Sequence, residues 1–231
     1  MSICIKDQIQ NMNLVIGCTI GCSYCYARNN ARRFHMTEDF HNPQYFPNKL
    51  RMIDRKCPRN LLLTGMSDFS DWEIGWKEEV FAKIKENTQH QYIFLTKRPD
   101  AIHFSTDMEN VWFGVTVTSS KEKERIQVMR KHIHAKHYQV SFEPMFDDIG
   151  EVDLLGIEWI VIGTETGNRK GKSITKKEWV MNLINQAKSL EIPVFMKEDL
   201  LPIMGEKAMI QELPASFYEV LKEQQKWKKK K

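Results

Sequence analysis

Residues 17–28 read GCTIGCSYCYAR, and within them Cys18, Cys22 and Cys25 stand at C-x3-C-x2-C spacing. Three thiolates this close cannot converge along a regular strand or one helical face. They can converge where the segment is a loop wrapped around something small. Three-thiolate ligation suits a [4Fe–4S] cluster, because thiolate is the usual ligand of iron in such clusters. The fourth iron would lack a protein ligand and be open to a substrate or cofactor. A structural zinc site is the competing reading. Zinc is commonly closed by two C-x2-C pairs, or by one pair and two histidines. Only one such pair is present, and His35 and His41 lack finger-like spacing. A disulfide framework is disfavoured, since five cysteines is an odd count and the N-terminus, MSICIKDQIQ, is too polar for a signal peptide. Thiols that hold iron need a reducing compartment, so a cytoplasmic protein is expected.

Outward from that loop, short apolar runs alternate with helical stretches. The runs predict strands over Met12–Ile16, Asn60–Thr64, Gln91–Thr96, Val111–Val117, Tyr138–Phe142, Trp159–Ile162 and Pro193–Met196. Several are near-continuously apolar, which suits a parallel sheet covered by helices. Apolar spacing predicts helices over Trp76–Asn87, Ser119–His132 and Lys176–Leu190. Strand–helix alternation with a thiolate loop after the first strand gives an α/β fold. It is a partial or near-closed (β/α) barrel of about six to seven parallel strands, formed as one domain over residues 1–231. The stretch Thr37–Arg59, with its prolines, reads as a loop or irregular insert able to cover the mouth. No run of 18 apolar residues occurs, so no membrane span is expected.

The cysteine loop, with Tyr24 at the aromatic position of C-x3-C-x-aromatic-C, resembles that of the radical S-adenosylmethionine (radical SAM) superfamily. The strings TGMSD (64–68), FLTKRP (94–99), VWFGVTV (111–117), SFEP (141–144) and WIVIGTETG (159–167) are similar to those of a phage- and mobile-element-encoded branch, the radical SAM mobile pair proteins of type A. The similarity runs from about Met12 to Glu198. The resemblance implies that Cys18, Cys22 and Cys25 bind a [4Fe–4S] cluster whose open iron chelates S-adenosylmethionine (SAM). It implies reductive cleavage of SAM to methionine and a 5′-deoxyadenosyl radical, which takes hydrogen from a substrate. It also implies a possible partner, a second radical SAM protein encoded alongside and related to a DNA repair lyase.

Barrel enzymes keep their working residues at the C-terminal ends of strands. Gly17 and Gly21 would let the chain bend around a cluster. After the second strand, Gly65, Met66, Ser67 and Asp68 match the segment that contacts the SAM amino group in the superfamily; Asp68 and Asp71 could instead cap the following helix. Lys97 could bind the SAM carboxylate or a substrate phosphate, or be a solvated turn residue before Pro99. Thr116 and Thr118, on one face by strand alternation, could bind ribose or carboxylate, or simply favour strand. Ser141 and Glu143 share a face, and a carboxylate there needs a partner such as Lys97 or Lys197. Gly163 and Glu165 lie where the superfamily cradles adenine, or form a turn. Lys197 and Glu198 complete a charged ring, the polar mouth expected of an active site.

The net charge is +4, and the segment 217–231 carries that entire excess, so the rest of the domain is balanced. Its WKKKK end could be a phosphate-binding arm or a solvated, disordered terminus. Cys4 could fold over the mouth and donate hydrogen, whereas Cys57 falls at the far end; buried inert thiols are the plainer reading of both. The basic stretch Arg28–Arg33 beside the thiols, with the mobile-element association, favours a nucleic acid or nucleotide as substrate. A peptide or the partner protein is a second substrate class. The non-enzymatic alternative is an iron–sulfur or zinc module that recognises nucleic acid or a protein partner.

Overall fold

The structure is a computed structural model that describes residues 4–167 and 169–229. Seven strands form one parallel sheet: β1 (Gln10–Asn11), β2 (Asn60–Leu62), β3 (Gln91–Thr96), β4 (Val111–Thr116), β5 (His137–Phe142), β6 (Trp159–Ile162) and β7 (Val194–Met196). They lie in sequence order, and the sheet curls into a half-barrel with β1 and β7 as its edges. Among the described residues, five helices of eight or more residues accompany it: α1 (Tyr26–Arg33), α2 (Ile74–Glu86), α3 (Arg125–His132), α4 (Lys177–Ser189) and α5 (Ala215–Lys229). Among the described residues no helix is long and apolar enough to cross a membrane.

Strand alternation sorts the sheet into two faces. On the outer face Val115, Val140, Ile160 and Val194 stand in one register row and join the core under the helices. On the inner face two rows matter. Leu95, Gly114, Gln139 and Trp159 form the lower one, and Thr116, Ser141, Val161 and Phe195 the upper. Below them the half-barrel is plugged. Phe217 of α5 stands edge-on to Trp112 and Trp159, with ring centroids 5.0 and 5.4 Å apart. The segment from 217 to 229 therefore continues a helix anchored under the sheet, with Phe217 and Val220 buried. Asn60 Nδ2 donates to the Phe217 carbonyl at 3.3 Å, tying α5 to the start of β2.

The first strand departs from the reading over Met12–Ile16. The ladder residues are Gln10 and Asn11, paired with Leu61 and Leu62. Met12, Leu14, Val15 and Ile16 are buried, but Val15–Ile16 turns away to pair antiparallel with Gln44–Tyr45 from the long insert. An apolar run reports burial, not ladder pairing: Met12, Leu14 and Val15 join the main core, and Ile16 packs beneath the cysteine loop. The insert is consequently ordered, with a 3-10 helix over Pro47–Met52. The second predicted helix region, Ser119–His132, splits into a 3-10 turn, Ser120–Glu122, and α3.

Gly17 marks where the chain leaves this small sheet. Its φ is +122°, and a Cβ there would lie 2.7 Å from the Pro43 Cα. The main chain of Pro43 cannot yield as a flexible side chain would. Gly17→Ala is expected to lower stability by about 1–3 kcal/mol, seen as a fall of several degrees in a thermal melt. An unchanged melt would show that the bend is not required.

Candidate active site

A cavity of about 480 Å³ opens at the C-terminal ends of the strands. Its apolar floor includes Ile9, Trp159 and Val161, and its wall carries the polar ends of the inner rows, Thr116, Gln139 and Ser141. Of the residues singled out from sequence, Tyr24, Gly65, Ser67 and Asp68 line it, as do Lys97, Thr116, Glu143 and Glu165. Met66, Thr118, Gly163 and the three cysteines do not. Met66 packs with Ile16, Ala27, Ala31 and Phe40 beneath the cysteine loop. Thr118 lies beyond the end of β4, so strand alternation no longer carries it to the face of Thr116. Its hydroxyl and N–H both donate to Glu122 Oε2, at 2.7 and 2.8 Å.

Asp68 is the hub of the β2–β3 corner. Its carboxylate accepts from the Ser70 N–H and hydroxyl at 3.0 and 2.7 Å, from the Thr96 hydroxyl at 2.6 Å and from the Lys97 N–H at 2.7 Å. Three of those donors meet Oδ1 and one meets Oδ2, so the carboxylate is engaged on both oxygens. The side chain thus caps the turn over Phe69–Asp71 and fixes the backbone that presents Lys97. Lys97 forms no ion pair among the described residues, so its ammonium remains available to an anion. Asp71 does similar work for the cysteine loop. It accepts the Thr19 N–H and hydroxyl at 2.9 and 2.7 Å and pairs with Arg98, whose guanidinium also donates to Thr19 and Ser70.

Glu143, at the end of β5, pairs with Lys197 at the end of β7. Gly163 lies behind this pair: a Cβ there would meet Glu143 Cγ and Lys197 Cδ at 3.1 Å. Burial works to lower the Lys197 pKa, but Glu143, Asp199 and Glu198 outweigh it and hold the ammonium above its ordinary value. Asp199 is pushed up by burial, against the pull of Lys197 and of the Thr164 N–H it accepts at 2.7 Å. Cys4 donates to Glu198 Oε1 at 3.0 Å. With Gln10 already on β1, the N-terminal turn Ile5–Gln8 bridges from the β7 edge to the β1 edge of the open barrel.

Glu165 is 2 % exposed and clamps the following loop. Arg169 grips it bidentately, at 2.5 and 2.8 Å, and the Ser173 N–H adds a bond of 3.0 Å. The Arg169 guanidinium, with the Ser173 N–H and against the cost of burial, holds the carboxyl below the usual range. A lowered carboxyl pKa stabilises the fold fully above the unfolded value, about 4.3. That contribution is lost as pH falls through the folded value. Glu165→Gln is therefore expected to speed tryptic cutting at Arg169, Lys170 and Lys172 at neutral pH by several-fold, and the gap to wild type should close in acid, where a tolerant acid protease replaces trypsin. Equal cutting at neutral pH would deny the clamp.

The three thiols share the loop, but among the described residues no three His, Cys, Asp or Glu side chains gather as a ready metal-ligand group. The convergence expected from their spacing is thus not formed, and the loop's hydrogen bonds run elsewhere. Cys25 caps α1, its Sγ accepting the Arg28 N–H at 3.3 Å, and the Arg28 guanidinium donates to the Cys22 carbonyl at 3.0 Å. Burial pushes the Cys18 thiol up to about 12. Burial also holds the Tyr24 phenol well above its usual value, with the Cys22 thiol beside it. The donor chemistry still fits an iron–sulfur group: three sulfurs on one short loop over an apolar bed, with a main-chain N–H aimed at one of them. The Tyr26 hydroxyl donates to the Gly65 carbonyl at 2.6 Å, holding this loop to the cavity mouth.

Several lining residues went unread. Gln139 was within reach, since the alternation joining Ser141 to Glu143 extends back to it. Tyr26, Asn30 and the N-terminal Ile5 and Lys6 line the cavity too. Only the tertiary path of the chain puts them there. A family model described as a protein of unknown function (DUF5131) matches residues 4–215. No curated protein matches the chain. No solved structure matches it either.

Proposed function

We propose that this chain, which belongs to the DUF5131 family, is a radical SAM enzyme that acts on a nucleic acid or nucleotide in a reducing compartment. The observation that supports the reading is that the three-cysteine loop borders the half-barrel cavity through Tyr24 and Tyr26. Asp71, Arg98 and Tyr26 tie it there. Cys18, Cys22 and Cys25 are the residues that would hold a [4Fe–4S] cluster. When bound, the cluster supplies the electron that cleaves SAM to methionine and a 5′-deoxyadenosyl radical.

The chain's own residues divide the remaining work. Lys97, unpaired and held by the Asp68 clamp, offers a cation to the carboxylate of methionine. Thr116, Ser141 and Gln139 present hydroxyl and amide groups to a ribose from one wall. Ile9, Trp159 and Val161 exclude water from the floor, where a carbon radical must be protected from side reactions. Cys18, whose thiol burial pushes up, would give up its proton to hold the cluster.

Anaerobic reconstitution with iron and sulfide tests the ligand set. About four iron and four sulfide per chain, with a thiolate-to-iron absorption band, is the expected result. Stoichiometric zinc with no retained iron would favour the zinc-module reading and overturn this one.

A further inference from the structure

A second concavity, of about 580 Å³, lies at the opposite end of the barrel. Arg55, Lys56 and Arg59 line it from the segment that feeds β2, and Trp227 and Lys228 line it from the last turns of α5. Arg59 directly precedes β2, so the groove sits at the N-terminal ends of the strands. The cavity described above lies at their C-terminal ends.

Its charge is uncompensated. Lys222 and Lys226, on α5, are paired with Glu219 and Glu223 at 2.8 and 2.5 Å. Arg55, Lys56, Arg59 and Lys228 form no ion pair among the described residues, and no carboxylate lines the groove. Arg59 reaches Gln10 through one guanidinium nitrogen, but its Nε is buried without a partner. The loop is fixed in place by Gln89 Nε2, which donates to the Arg55 carbonyl at 3.1 Å. Trp227 is 37 % exposed, an indole left against open cations at a position where burial would normally be found.

We infer that this groove binds single-stranded nucleic acid. Unpaired arginines and lysines recognise a phosphodiester backbone, and an exposed indole beside them offers a face on which an unpaired base stacks. The combination favours a single strand over a duplex, whose bases are already stacked on one another. The volume falls within the range of about 300–1,000 Å³ usual for small-ligand sites, enough for one base and its flanking phosphates. Trp227 and Lys228, the first residues of the WKKKK end, thus form one wall of a built groove, and its last two lysines lie outside the described residues. This inference does not rest on SAM chemistry: it requires neither the cysteines nor the cavity at the other end.

Fluorescence anisotropy with a fluorescein-labelled single-stranded oligonucleotide, its duplex, and vesicles of phosphatidylserine and phosphatidylcholine tests it on the full metal-free chain. Wild type should bind the single strand more tightly than the duplex, with affinity falling steeply as salt rises. Arg55→Glu with Lys56→Glu should weaken single-strand binding by about tenfold or more and flatten the salt slope by about 1.4. Trp227→Ala should weaken it by about 5- to 100-fold. A charge-matched control, Lys121→Glu with Lys188→Glu on exposed surface elsewhere, should cost less than about twofold, since distant exposed charges are screened. Circular dichroism confirms that each variant folds. Equal losses in the control and groove variants, an unchanged affinity in Trp227→Ala, or binding to vesicles but not to oligonucleotide would each overturn the inference. A failure here leaves iron and sulfide retention unchanged, so it is distinguishable from a failure of the enzyme reading.

Discussion

Cys22→Ser is expected to abolish iron retention after reconstitution and to lower SAM cleavage by about 10³-fold or more. A cluster held by three thiolates cannot lose one and keep its charge balance, because a serine hydroxyl stays protonated where a thiolate would bind. Cys18→Ser and Cys25→Ser should behave alike, whereas Cys4→Ser and Cys57→Ser should retain full iron. That contrast makes the test specific. Cys57 opens onto the far groove, and Cys4 is engaged with Glu198, so neither has a part in the ligand set. Iron retained equally in all five serine variants would contradict the assignment. The variants should fold, since the thiols hold the loop only through weak contacts such as the Arg28 N–H to Cys25.

Lys197→Met should be the most costly change at the mouth for stability. Lys197 is 17 % exposed on its side chain and Glu143 29 %, so the pair is largely withdrawn from water. Removing the ammonium leaves Glu143, Asp199 and Glu198 facing one another without a counter-charge. Breaking a buried pair costs about 3–5 kcal/mol, and partial exposure here reduces that to about 2–3 kcal/mol. The pH dependence has a definite sign. The folded Lys197 pKa is raised above its ordinary value. Its contribution is therefore fully present below the unfolded value, about 10.4, and is lost only as pH rises through the folded one. Urea denaturation of wild type and variant should differ by a constant amount from about pH 6 to 9 and converge at strongly alkaline pH. A difference that grew with alkalinity would rule out the ion pair as its source.

Much of the sheet was readable because its strands are buried on both sides. Gln91–Thr96 and Trp159–Ile162 form as the apolar runs predict, and the other internal strands shift by a residue or two. The edge strand was not readable. Gln10 and Asn11 are polar, and two residues make no period, while most of the apolar run beside them joins the main core without forming the strand. At the site, strand alternation located Thr116, Ser141 and Glu143, and the ring of charges at the strand ends is real. What the sequence could not tell is which charges neutralise which. Asp68 is consumed by the ends of its own corner, Glu165 by Arg169, and Glu143 by Lys197 rather than Lys97. The Glu165–Arg169 pair is four residues apart, but the Asp68 corner and the Glu143–Lys197 pair span up to 54 residues, and no local pattern encodes those two.

The most direct measurement is the formation of 5′-deoxyadenosine. The reconstituted full chain is incubated anaerobically with SAM and dithionite, and the products are separated by chromatography. Cluster-dependent 5′-deoxyadenosine and methionine in equal amounts, absent from Cys22→Ser, is the expected result. A chain that retains its iron, binds SAM and yet forms no 5′-deoxyadenosine, with or without single-stranded DNA or RNA, would contradict the enzyme reading.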